Sequence, residues 1–167
     1  SGDAETGTSV FTMKGGTLTG RNGDQIYVTN THSKIHLEDV TIKNLDTTGR
    51  LLAVLGNDAT RGWGTAGQNG GQVELTTNNQ TLSGAIEVDT VSTLNFTMGK
   101  GTNFTGTIQI VKNAEGGTAV ENNAVITVEE GATWTLTGNV TITSLENKGT
   151  INFNGYTITL ADGTVLS

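Results

Sequence analysis

The sequence predicts an all-β fold, a parallel β-helix (solenoid) of about six coils with three short strands in each coil. Val, Ile and Thr alternate with polar residues at a period of two along most of the chain, which is typical of strands. Clusters of Gly, Asn and Asp separate these runs, and no window has the apolar spacing of an amphipathic helix. The third observation is a repeated order of strand patterns that continues through the chain.

The repeat has three strand positions separated by turns. The first is apolar-polar-apolar, at residues 11–13, 35–37, 73–75, 94–96, 126–128 and 151–153. The second has a central apolar residue, at 17–19, 41–43, 81–83, 103–105, 135–137 and 157–159. The third is again apolar-polar-apolar, at 26–28, 52–54, 86–88, 108–110 and 140–142. Inward apolar residues would stack in columns with strands ~4.8 Å apart. A β-sandwich also has short strands and Gly turns, but it does not require this order to recur.

The repeat divides the chain into a polar N-terminal tail, predicted to be flexible at residues 1–8, and a single domain at residues 9–167. Two segments, 56–72 and 112–124, interrupt the repeat and are predicted to be loops, which often form the binding face of a solenoid. Because an uncapped solenoid end exposes strand edges, we expect either an adjoining domain or an end-to-end homodimer.

The composition disfavours two classes of partner. The formal net charge is −7 and no basic run is present, which argues against binding to nucleic acid. No apolar stretch approaches the roughly 18 residues of a membrane helix, so we expect no membrane insertion. The chain has no Cys, a feature compatible with secreted and with cytosolic proteins.

The strongest candidate for a binding residue is Trp63, which lies in the Gly-rich first insertion. An exposed indole can stack on the apolar face of a sugar ring, while Arg61, Gln68 and Asn69 could bond its hydroxyl groups. The alternative is that Trp63 folds back over the core as a lid. Trp134 alternates with Leu136 in a strand and is therefore predicted to pack in the core.

Four segments give the chain a resemblance to a known family: "FTMKGGTLTGRNGDQIYVTNT" (11–31), "RGWGTAGQNGG" (61–71), "QTLSGAIEVDTVSTLNFTM" (80–98) and "INFNGYTITLADGTVLS" (151–167). The chain resembles the C-terminal part of the secreted right-handed β-helix "carbohydrate-binding domain-containing" proteins of clostridia and their relatives. The resemblance implies a right-handed helix, a secreted or cell-surface location, binding to cellulose or acidic plant polysaccharide, and calcium as a candidate cofactor. These family proteins also have an N-terminal portion that this chain lacks.

Support for a metal site or for catalysis is weaker. Asp24 and Asp58, beside turns, are the candidate calcium ligands, but no calcium-loop spacing is present. The i, i+4 pair His32 and His36 would share a helix face, but the pattern here is a strand. No catalytic constellation is evident, and we expect none of the arginines (Arg21, Arg50 and Arg61) to follow a dense acidic cluster on neighbouring strands, as a polysaccharide lyase would need.

The sequence therefore predicts a non-catalytic polysaccharide-binding domain of a secreted or cell-surface bacterial protein. The main alternative is a structural or adhesive stalk segment of a surface adhesin, because a rigid, polar, repetitive rod suits that role. Two further alternatives are a polysaccharide lyase and an ice-binding protein. The latter interpretation rests on the outward Thr residues of the second strand position, although Lys43 and Asn103 interrupt these columns.

Overall fold

The computed structural model describes residues 7–58, 60 and 62–167, and within this part of the chain the fold is all-β with no helix. The strands in chain order are β1 (Thr8–Lys14), β2 (Thr17–Gly20), β3 (Ile26–Val28), β4 (His32–Glu38), β5 (Thr41–Asn44), β6 (Leu52–Val54), β7 (Gln72–Asn78), β8 (Thr81–Asp89), β9 (Thr93–Met98), β10 (Asn103–Val111), β11 (Ala124–Val128), β12 (Thr133–Thr135), β13 (Val140–Thr141), β14 (Ser144–Asn147), β15 (Thr150–Asn152), β16 (Ile158–Thr159) and β17 (Val165–Leu166).

The strands pair in three sheets that are parallel almost throughout. The first sheet has the order β1-β4-β7-β9-β11-β14. The second has the order β17-β16-β13-β10-β8-β6-β3, and β12 joins it by pairing with both β10 and β15. The third contains β2 and β5 alone. Only the β16–β17 pair at the C-terminal end is antiparallel among these ladders. Parallel pairing of strands distant in sequence is compatible with the predicted β-helix.

Register in the first sheet aligns apolar side chains in a continuous inward column. Successive paired residues are Phe11, Ile35, Leu75, Phe96, Ile126 and Leu145. The four inner members of this column are buried, whereas Phe11 at the N-terminal edge is 45% exposed. The period-two alternation thus specified the inward face of each strand, and pairing on both sides buries it.

The strand positions predicted for the last repeat, at the C-terminal end, are wrong. Leu145, not Ile151, continues the first-sheet column, because β14 pairs with β11. Ile151 pairs with Trp134, and Thr157–Thr159, predicted for the second position, contains β16, which pairs with β13 in the third. β14 is mostly polar and has no apolar-polar-apolar pattern. A strand paired on one side only is less buried, so its sequence has less need of that pattern.

Three aromatic side chains connect the sheets through the core. Phe96 and Phe104 have ring centroids 6.0 Å apart, and Phe104 stacks on Trp134 with centroids 5.9 Å apart and planes at 21°. Trp134 is fully buried, which confirms its predicted place in the core. Its Nε1 donates a hydrogen bond of 3.1 Å to the carbonyl oxygen of Gly106.

The first strand begins at Thr8, within the segment predicted to be a tail, and residues 1–6 lie outside the described residues. A first loop lies between β6, which ends at Val54, and β7, which begins at Gln72. A second loop lies between the end of β10 at Val111 and the start of β11 at Ala124. Across the described ranges, the structure contains no helix of the length and apolarity needed to span a bilayer.

Candidate functional site

The first loop (residues 55–71) and the second loop (residues 112–123) pack directly against each other. Gly67 and Gly117 form the contact, since a Cβ on Gly117 would collide with the Gly67 carbonyl oxygen. Gly117 also has a φ of +79°, a backbone conformation that side-chain-bearing residues rarely adopt. Glycine is therefore required on the second loop for the two insertions to meet.

A buried carboxylate ties both loops to the end of β8. Asp89 Oδ2 accepts hydrogen bonds of 2.7 Å from the Gly56 amide and 2.7 Å from Asn113 Nδ2. Its Oδ1 accepts a longer bond of 3.3 Å from the Val91 amide. Asp89 and Asn113 are both buried. Because buried polar groups are costly when unpaired, these bonds hold the loops in one arrangement.

A cleft of about 390 Å³ lies between the two loops. Its lining residues are Ala66, Gly67, Gln68, Asn69, Gly70, Val91, Gly117, Thr118 and Val120. None of these side chains is ionisable. Val91 and Val120 supply apolar surface, while Gln68, Asn69 and Thr118 supply amide and hydroxyl groups. This mixture suits an uncharged ligand that has both apolar faces and hydroxyl groups.

Trp63 lies on the first loop, and the residue is 36% exposed. Its carbonyl oxygen accepts a hydrogen bond from the side-chain Nδ2 of buried Asn57, and this bond fixes the backbone of Trp63 to the buried part of the loop. The next residue, Gly64, has a φ of +66° and packs so closely that a Cβ there would lie 2.6 Å from Asn69 Oδ1. The backbone that follows Trp63 thus packs on Asn69 of the cleft lining, and Trp63 itself is on the same loop but not among the lining residues.

The other predicted sugar contacts differ in whether their side chains are already hydrogen-bonded within the loop. The side chain of Gln68 is exposed, while its backbone is fixed by bonds to Thr65 and Asn57. The side chain of Asn69 holds the loop instead: Oδ1 accepts a bond of 3.0 Å from the Thr65 amide, and Nδ2 donates one of 3.2 Å to Asn30 Oδ1. Arg61 lies outside the described residues.

The two candidate calcium ligands have different partners. Asp24 is ion-paired with Arg50, and Asp58 Oδ1 accepts bonds of 3.1 Å from the Thr60 amide and 2.6 Å from its hydroxyl. The described residues present no group of three or more His, Asp or Glu side chains placed to hold a metal ion. Calcium binding at Asp24 and Asp58 therefore stays a prediction.

An ion-pair cluster centred on Arg50 was not predicted. The guanidinium donates bonds of 2.8 Å and 2.7 Å to the two carboxylate oxygens of Asp24, and its Nη1 donates one of 2.5 Å to Glu87. The bonds to Asp24, followed by those to Glu87, raise the pKa of Arg50 further above its usual range. Two carboxylates, those of Asp24 and Glu87, therefore lie beside Arg50.

The three residues of this cluster are hard to associate from the sequence, since each lies in a different repeat. Glu87 is the polar centre of a third-position triplet, and its strand neighbour Ala53 belongs to the same β6 strand that follows Arg50. A cleft of about 160 Å³ adjoins the cluster, with Lys112 and Asp89 also in its lining. Because the guanidinium is already bonded to two carboxylates, it is placed to hold the chain together, not to accept a proton.

The histidines lie on the outer face of the first sheet. His36 Nδ1 lies 2.8 Å from Thr76 Oγ1, and its Nε2 lies 3.6 Å from Glu38. His32 Nε2 lies 3.7 Å from Glu74. Each imidazole thus has its own carboxylate neighbour on the strand surface.

Outward hydroxyl and amide groups form columns at the second strand position. Strand pairing aligns Thr81, Asn103, Thr133 and Thr150 in one column, and Ser83, Thr105, Thr135 and Asn152 in another. These columns flank the buried Leu82, Phe104 and Trp134. Thr157 and Thr159, predicted to continue them, instead belong to the β16 segment of the second sheet. The columns are polar and mostly exposed, with Thr133 and Thr135 partly buried, as a solvated sheet requires.

No family model, curated protein or solved structure matches this chain. The resemblance to the clostridial β-helix proteins, and every role that it implies, therefore stays a prediction for this protein.

Proposed function

We propose that this chain is a non-catalytic polysaccharide-binding domain of a secreted or cell-surface bacterial protein. The observation that carries the proposal is the partly exposed Trp63 on the same loop that lines the uncharged cleft between the two loops. Indole rings are well suited to the apolar faces of sugars, because the ring offers a large, rigid surface at low entropic cost. Gln68 and Thr118 supply amide and hydroxyl groups for the sugar hydroxyls.

The size and rigidity of the cleft support this proposal. Its volume of about 390 Å³ falls within the ~300–1,000 Å³ of small-molecule sites. The loops that form it are held by the buried bonds of Asp89 and Asn113. A preformed site loses less conformational entropy when a flexible glycan binds. We therefore assign sugar contacts to Trp63, Gln68 and Thr118, and assign Asn69 to holding the loop.

The charge of the site favours a neutral polysaccharide, cellulose-like, over an acidic one, pectin-like. The cleft lining contains no ionisable side chain, and the whole chain has a formal net charge of −7. A polyanion would be repelled by this charge and would find no cation among the lining residues. Arg61 is the one predicted contact that could moderate this preference.

The architecture that would present the site is a right-handed parallel β-helix of six coils. The support is the alignment of six paired positions in the first sheet, together with matching pairs at the second and third positions. In such a helix both insertions leave the same side, since each follows a third-position strand. Handedness is taken from the resemblance, and right-handed crossovers are also the rule for parallel strands.

The test is a pull-down with insoluble cellulose and with insoluble pectate, each with and without calcium. We compare the wild-type chain with Trp63→Ala and use Tyr156→Ala as a matched control. Tyr156 is 38% exposed, almost as much as Trp63, but it lies between β15 and β16, away from the loops in sequence. We expect Trp63→Ala to weaken cellulose binding about tenfold or more and Tyr156→Ala to leave it unchanged.

A second candidate function, a stalk segment of an adhesin, is supported by the two long strand ladders, from β1 to β14 in the first sheet and from β3 to β17 in the second. A chain whose strands are hydrogen-bonded to their neighbours in long ladders suits a rigid spacer. In that case a folded wild-type chain would bind neither polysaccharide, and Trp63→Ala would change only stability. That result would reject polysaccharide binding in favour of the stalk.

A further inference from the structure

The N-terminal end of the sheets presents three strands with a free edge. β1, β2 and β3 pair with β4, β5 and β6, and no described strand pairs with their other sides. Free strand edges carry unpaired amide and carbonyl groups that can pair with another chain. This end of the molecule is therefore able to form further strand pairs.

The same end also exposes the core. A cleft of about 290 Å³ opens there, lined by Ser9, Val10, Phe11, Leu18, Gln25, Ile26, Val28, Ser33 and Ile35. Val10 is 72% exposed and Phe11 is 45% exposed. Gln25 Oε1, buried in this lining, has no hydrogen-bond partner among the described residues. An apolar surface bordered by free strand edges is typical of an interaction site.

The C-terminal end differs, because the chain covers part of its own edge there. β17 pairs antiparallel with β16, with Ile158 opposite Leu166 and Thr159 opposite Val165. A second copy stacked head to tail would have to place its β3 where β17 already lies. Head-to-tail continuation of the parallel ladder is therefore blocked along the second sheet.

From these observations we infer that the N-terminal end binds a second copy of this chain head to head, with the two β1 strands antiparallel about Phe11. Two free N-terminal edges are identical, so a two-fold axis can pair them and the assembly closes as a dimer. Phe11 then faces Phe11 of the partner subunit, and Ser9 faces Met13 of the partner subunit. Because the pairing is centred on an inward residue, apolar side chains stay on the inner face of both strands.

The charges of β1 are compatible with this pairing. Lys14 is its only ionisable side chain, and Lys14 Nζ is ion-paired at 3.1 Å with Glu38 of the same chain. In the two-fold register Lys14 faces Thr8 of the partner subunit, and no like charges stand opposite each other. Val10 faces Thr12 of the partner subunit on the outer side. The edge thus lacks the inward or opposed charges that prevent strand edges from pairing.

The test compares two lysine substitutions at opposite ends of the protein, using sedimentation velocity over a range of protein concentrations. Val10→Lys places two ammonium groups across the proposed two-fold axis, and we expect it to weaken self-association about tenfold or more. Val165→Lys is the control: Val165 is 59% exposed and lies on β17, so its substitution should leave the dimer intact. Circular dichroism checks that both variants fold.

Mixed disulfide formation tests the register, since the natural chain has no Cys. Chains with Val10→Cys mixed with chains with Thr12→Cys should cross-link to each other faster than either does to itself, because directly opposed Cβ atoms lie only ~4.5–5.5 Å apart. A wild-type chain that stays monomeric at every concentration, or a dimer broken by Val165→Lys and not by Val10→Lys, overturns the inference. A monomer would leave this edge to a partner of different sequence. Neither outcome bears on sugar binding.

Discussion

Replacing Trp134 should destabilise the protein more than any other single aromatic substitution, because this indole has two roles. It fills the core between the sheets, stacked on Phe104, and it is fully buried. It also replaces a missing strand partner. Residues of β10 pair with β12 up to Thr105 and with β13 at Gln109, and the carbonyl of Gly106 lies in the interval between them. The indole Nε1 donates to that carbonyl at 3.1 Å.

The two roles can be separated by two substitutions. Trp134→Phe keeps an aromatic ring but leaves the Gly106 carbonyl without its donor, which costs about 1–3 kcal/mol. Trp134→Ala also removes the packing, for a total of about 3–5 kcal/mol. Set against a total stability of ~5–15 kcal/mol for a domain, the alanine variant should lose a large fraction of the free energy of unfolding.

Urea unfolding followed by far-ultraviolet circular dichroism gives both free energies without relying on tryptophan fluorescence. The slope of the unfolding free energy with urea should be unchanged if only the native state is weakened. Trp63→Ala provides the comparison, because this indole is partly exposed, and we expect a loss of about 1 kcal/mol or less.

Two results would refute this reasoning. If the free energy of unfolding of Trp134→Phe lies within ~0.5 kcal/mol of the wild-type value, the hydrogen bond from the indole N–H to the Gly106 carbonyl does not contribute as argued. If Trp134→Ala costs no more than Trp63→Ala, the packing role is wrong as well.

Three other predictions concern the turns, the ion-pair cluster and the loops. Bonds from the Thr48 hydroxyl and nearby amides lower the pKa of Asp46 to about 2. The stability that Asp46 contributes should therefore be present above its unfolded pKa of 3.8 and be lost as the pH falls towards 2. Over this pH range the melting temperature of Asp46→Asn should fall less than that of the wild-type chain. Arg50→Met should lower the free energy of unfolding in urea by about 1–3 kcal/mol, because two carboxylates lose their hydrogen-bond donor. Arg21→Met, at an exposed turn, should lower it by ~0.5 kcal/mol or less. Equal losses would contradict the role of the cluster. Gly117→Val should separate the two loops and abolish cellulose retention in the pull-down while the far-ultraviolet spectrum stays native; retained binding would place the sugar site elsewhere.

The sequence anticipated the site only in part. A tryptophan in a Gly-rich insertion indicated the first loop, and the same composition indicated a second loop. It did not indicate that the two loops touch, because Gly67 and Gly117 belong to insertions separated by four strands, β7 to β10. Nor could it separate Gln68, whose side chain is exposed, from Asn69, whose side chain holds the loop; adjacent amides look alike without their partners.

What the sequence alone determined is the local pattern: strands alternating inward and outward at a period of two, turns at Gly and Asn, and an all-β fold. Each of these depends on the backbone preferences and the exposure of a few neighbouring residues. Only the tertiary structure decided which strands pair and in what register. It placed Leu145 in the first-sheet column instead of Ile151, brought Arg50 to Asp24 and Glu87, and closed the C-terminal edge with β17. Register between parallel strands depends on hydrogen bonds and burial shared by residues far apart in the chain. The local alternation of apolar and polar residues is the same in many strands, so it does not determine which of them pair.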